Sequence, residues 1–73
     1  MHVENLVKMA NQIGEFFASF PDREEALDGV ATHIKKFWEP RMRSALLTHI
    51  DTVGYDELNG TAAEAIRTHR GRL

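Results

Sequence analysis

Apolar residues recur along this chain with the period of an α-helix, and no stretch shows the alternation of a half-buried strand. Projected at about 100° per residue, Val3, Leu6, Val7, Met9, Ala10, Ile13, Phe16, Phe17 and Phe20 fall on one half of the wheel. Glu4, Asn5, Lys8, Asn11, Gln12, Glu15 and Ser19 fall on the other. The spacing predicts a first helix over residues 3–20. Its apolar arc covers about half a turn, more than the roughly 100° stripe that faces a core. Such a helix must meet more than one neighbour, either inside a bundle or on another protein.

Pro21 ends that helix, and Asp22 with Glu25 three residues on approximates a capping box for a second, over 23–38. The second helix turns Ala26, Leu27, Val30, Ala31, Ile34, Phe37 and Trp38 to one face. Glu39 precedes Pro40, which disfavours helical geometry at Glu39 and suits Pro40 to open a third helix over 40–53. Met42, Ala45, Leu46, Ile50 and Val53 point inward there, and Gly54 stops it. Thr61-Ala62-Ala63-Glu64 starts a weaker helix over 62–69, whose thin apolar face of Ala62, Ala65 and Ile66 gives little stability in isolation. The pattern predicts an all-α fold, a small three- to four-helix bundle forming one domain over residues 1–73. Gly14 and Gly29 both lie inside helices. Gly14, at the edge of the apolar face, suits a close helix approach; Gly29, on the polar side, has no packing reason in the sequence.

Composition removes most chemistry. A chain of 73 residues without cysteine has no disulfide, thiolate zinc site, thiol nucleophile or iron–sulfur ligand of its own. The four histidines, at 2, 33, 49 and 69, form no compact metal motif, the five glycines form no phosphate loop, and neither Ser19 nor Ser44 has an identifiable base. Catalytic, metal and cofactor-binding residues are therefore all expected to be absent. No apolar run approaches membrane-spanning length, and the N-terminus lacks the layout of a signal peptide, so a soluble cytoplasmic protein with no membrane partner is expected. At this size burial barely offsets chain entropy, and a partner is a common source of further stability.

The candidate site is the run His33-Ile34-Lys35-Lys36-Phe37-Trp38-Glu39-Pro40-Arg41-Met42-Arg43. Tryptophan and arginine are typical hot-spot residues, and arginines in the first turn of a helix oppose its dipole by about 0.3–1 kcal/mol each. Local stability therefore does not account for Arg41 and Arg43. Phe37, Trp38, Arg41 and Arg43 are the expected partner contacts, with Trp38 as anchor and the arginines on partner carboxylates or carbonyls. Against this stand ordinary roles: Phe37 and Trp38 as core, and the arginines solvated or paired with Glu39. Arg67, His69, Arg70 and Arg72 make the tail basic, as solvated dipole-compatible charge or as a second docking element. A nucleic-acid-binding protein using residues 35–43 is the competing class. The net charge of −2 argues against it. Self-association through the wide first-helix face is a third.

The segments Leu6-Val7-Lys8-Met9-Ala10-Asn11-Gln12-Ile13-Gly14-Glu15-Phe16-Phe17 and 33–43 resemble the delta subunit of soluble NAD-dependent formate dehydrogenases, over roughly residues 3–50. The Phe-Trp-acid-Pro-Arg-Met-Arg run is the most specific part, and Glu39 departs from the aspartate common there. The resemblance implies a bacterial cytoplasmic complex that oxidises formate to carbon dioxide and reduces NAD. It implies an alpha subunit carrying a molybdenum or tungsten pterin and iron–sulfur clusters, and beta and gamma subunits carrying FMN and further clusters. The delta chain itself would hold no cofactor and would assist assembly or stability, with alpha as its expected partner.

Overall fold

A computed structural model describes residues 2–73, which form α1 (Val3–Ala18), α2 (Arg23–Phe37), α3 (Pro40–Val53) and α4 (Gly60–His69), closed by a 3-10 turn at Arg70–Arg72. The described residues contain no strand. The chain is a small all-α bundle. α1 ends at Ala18, before the predicted end at residue 20, because Pro21 disfavours helical geometry at Phe20. Asp22 caps α2 by accepting hydrogen bonds from the Glu24 and Glu25 N–H groups at 3.0 and 3.3 Å. Gly54, at φ 84°, terminates α3 in backbone space that other residues rarely adopt. Val53, expected inward, is 48% exposed, since the chain leaves α3 there and its core ends at Ile50.

α4 is the centre of the fold. It packs against both α1 and α2, and Ala62, Ala65 and Ile66 are fully buried. The thin apolar face is what allows this. Ala62, Ala63 and Ala65 are buried, as are Ala10, Gly14, Ala26 and Ala31 on α1 and α2, so small residues line part of the packing alongside Leu6, Leu27, Val30, Ile34 and Ile66. Gly14 marks the tightest point: a Cβ there would stand 2.6 Å from Asn59 Oδ1 and 3.0 Å from the Ala62 Cβ.

The start of α4 is fixed by Asn59, two residues before the Thr61 that the sequence pattern favours. Asn59 Oδ1 accepts from the Ala62 N–H at 2.9 Å, which brings Gly60 and Thr61 into the helix. Asn59 is in turn held by Asn11. The Asn59 N–H donates to Asn11 Oδ1 and its Nδ2 to the Asn11 carbonyl, both at 2.8 Å, while Asn11 Nδ2 donates to the Glu57 carbonyl at 3.0 Å. A polar residue on the outer half of the α1 wheel thus anchors the loop that delivers α4. Arg23, on α2, holds the same end by donating to Glu64 at 2.6 Å and to the Thr61 hydroxyl at 2.8 Å.

Candidate partner-docking site

The run at 33–43 forms the corner between α2 and α3. Trp38 leaves helical geometry at φ −87°, ψ 138°, Glu39 stays extended, and Pro40 begins α3. Trp38 is only 4% exposed and belongs to the core cluster with Ile34, Leu46 and Ile50. Its indole fills the space at this corner, and Phe37 is left outside at 65% exposure, so the core role for Phe37 does not hold. The Phe37 ring lies 4.8 Å from His33, and Lys36 Nζ stands 5.6 Å from its centroid.

The two arginines separate. Arg43 is half-buried and reaches back to the end of α2, donating from Nη1 to the Trp38 carbonyl at 2.5 Å and the Lys35 carbonyl at 3.3 Å. Its Nε donates to the Leu73 carbonyl at 3.4 Å. A cation in the first turn of α3, where the dipole disfavours it, therefore serves the C-terminal carbonyls of α2, where the dipole favours it. Local stability does account for Arg43. Arg41 is exposed and makes no hydrogen bond or ion pair with Glu39 or any other described residue.

The basic tail is folded back on the bundle. Arg70 pairs with Asp51 at 2.7 Å, and Arg72 with Asp28 and the Thr32 hydroxyl, both at 2.7 Å. Arg67 lies over the Tyr55 ring at 4.8 Å. The hydrogen bond to Asp51 raises the Arg70 pKa above its already high ordinary value. His49 meets Glu57 at 2.5 Å and His2 lies 3.7 Å from Glu4. Among the described residues no three His, Cys, Asp or Glu side chains gather as a metal site. No helix of these residues is long and apolar enough to cross a membrane.

Beside the corner lies an open groove of about 440 Å³, walled by Met9, Gln12, Ile13, Phe16 and Phe17 of α1 and by His33 and Trp38. Phe16 is 65% exposed and Met9 38%. Phe16, Phe17 and Phe20 form one aromatic cluster, with Phe17 5.0 Å from each of the other two. None of the four phenylalanines in the chain is buried. Gly29 now has its reason: a Cβ there would strike the Phe17 ring, so the bare backbone of α2 is the seat of that ring at the groove floor. The α1 wall was absent from the residues singled out by sequence, although the over-wide apolar arc carried its signal. One side of the arc covers α4 and the other lines this groove.

Fold and surface together define a small helical protein with a mixed alanine and aliphatic interior and an open aromatic groove. The family model of the NADH-dependent formate dehydrogenase delta subunit FdsD matches residues 5–66, and the chain belongs to that family. The match runs into α4, past the 3–50 segment that carried the resemblance. Neither curated proteins nor solved structures give a significant match.

Proposed function

We propose that this chain is a non-catalytic accessory subunit that binds and stabilises, or helps to assemble, a cytoplasmic NAD-dependent formate dehydrogenase. Its partner is a larger subunit, with alpha the first candidate, and the molybdenum or tungsten pterin, iron–sulfur clusters and FMN reside in those partners. The observation that carries this reading is the concentration of large apolar side chains on the outside of a delta-family chain. Exposed apolar patches of this kind mark protein interaction sites. In this reading Phe37 and Arg41 touch the partner, Trp38 backs the groove from the core, and Arg43 holds the corner in shape. The nucleic-acid alternative has less support: the groove wall is apolar and the chain carries a net charge of −2. Affinity recovery of the tagged chain from its native cells tests the proposal. Co-recovery of a large pterin- and cluster-bearing subunit with formate-dependent NAD reduction is the expected result. Recovery of the chain alone, or with nucleic acid, would overturn it.

A further inference from the structure

The groove differs from the rest of the surface in charge as well as in polarity. The chain holds eleven acidic residues, yet none of the residues lining the groove is a carboxylate. His33 closes its α2 side; outside the lining, the tilted Phe37 ring lies 4.8 Å from His33, and the Lys36 ammonium lies 5.6 Å from the Phe37 centroid. Cations elsewhere are mostly engaged: Arg23, Arg70 and Arg72 in ion pairs, Arg43 on carbonyls and Arg67 on Tyr55. Lys8, Lys35, Lys36 and Arg41 make no ion pair among the described residues, and all but Lys8 sit in the α2–α3 corner, against one unpaired carboxylate there, Glu39. An uncharged trough beside a corner of net positive charge complements apolar side chains with a carboxylate beyond them.

We propose that the groove between α1 and α2 receives an acidic amphipathic segment of a larger formate dehydrogenase subunit. Its apolar side chains lie against Phe16, Ile13 and Met9, and its carboxylate meets Lys36. The groove volume of about 440 Å³ admits a few such side chains. This inference rests on the accessory-subunit reading, and the two are separable by experiment. The complex is purified through a tag on this chain and treated with a carbodiimide, which joins an amine to a carboxylate without a spacer. Linked peptides are then sequenced by mass spectrometry.

The expected link joins Lys36 to an Asp or Glu of a larger subunit that has apolar residues within one helical turn. Phe16→Ser and Lys36→Glu are each expected to lower recovery of the larger subunits by roughly tenfold, on the scale of a hot-spot change, with far-UV helicity unchanged. If the larger subunits are recovered but both variants retain wild-type yield, or links form only at Lys8 or Lys35, the groove assignment is overturned and the accessory reading stands. Links from Lys36 to a second copy of this chain, or nucleic acid lost on Lys36→Glu, overturn the assignment as well. If the wild-type chain recovers no larger subunit, the accessory reading fails and this inference fails with it.

Discussion

The seam around α4 and the groove beside α1 use side-chain size in opposite ways. At the seam Ala62, Ala65, Ala10 and Ala31 are buried, and at Gly14 α1 comes so close to α4 that a Cβ would stand 3.0 Å from the Ala62 Cβ. At the groove Phe16 stands exposed, Phe17 and Phe20 are only half-buried, and the one backbone seat for these rings is Gly29 of α2 beneath Phe17. Burying a phenylalanine is worth about 1.5–3 kcal/mol, whereas alanine contributes little from its own surface. A chain selected only to fold alone would place the large rings inside. Here the interior combines Trp38 and aliphatic side chains with a close backbone approach at the Gly14–Ala62 crossing, and Phe16 and Phe37 remain available outside.

The comparison breaks first at the seam. Ile66→Ala, at a fully buried position of α4, is expected to cost about 2–5 kcal/mol by leaving a cavity. Urea unfolding of the purified chain followed by circular dichroism reads this directly. An unchanged midpoint would mean that α4 does not organise the core. Gly14→Ala adds one methyl group where Asn59 and Ala62 already stand close, and overpacking of this kind is expected to cost about 1–3 kcal/mol in the same experiment. At the corner, Arg43→Ala removes hydrogen bonds to the end of α2 and is expected to cost about 1 kcal/mol. Arg41→Ala is expected to stay within about 0.5 kcal/mol of wild type, as surface changes usually do. Equal effects for the two arginines would contradict the division of labour at this corner. The smallest change is expected at the groove, where Phe16→Ser should alter stability by no more than about 0.5 kcal/mol. A large loss would make Phe16 a structural residue and leave the groove without its special character.

Much of this was legible in the sequence. The caps at Asp22 and Gly54, the break at Glu39-Pro40 and the helical period follow from local rules that tertiary packing did not override. The importance of α4 was not legible, because hydrophobic pattern weighs a helix by the bulk of its side chains, and a close-packed seam selects for their absence. Gly29 was opaque for a related reason: its partner, Phe17, comes from another helix. Arg43 looked unfavourable while only its own helix was considered, and its benefit lies at the end of the helix before it. Of the candidate site, the aromatic-basic corner could be found from composition. The α1 wall needed the fold to reveal which half of the wide apolar arc the bundle leaves uncovered.

The central position of α4 also bears on how the protein is made. A ribosome delivers α1 and α2 before the helix that packs between them, so their alanine faces emerge before α4 is there to bury them. Synthesis at about 5–20 residues per second leaves that nascent intermediate exposed for a second or more. Native packing around α4 can close only after that helix has also emerged, an interval in which chaperones and partner subunits compete for the same chain.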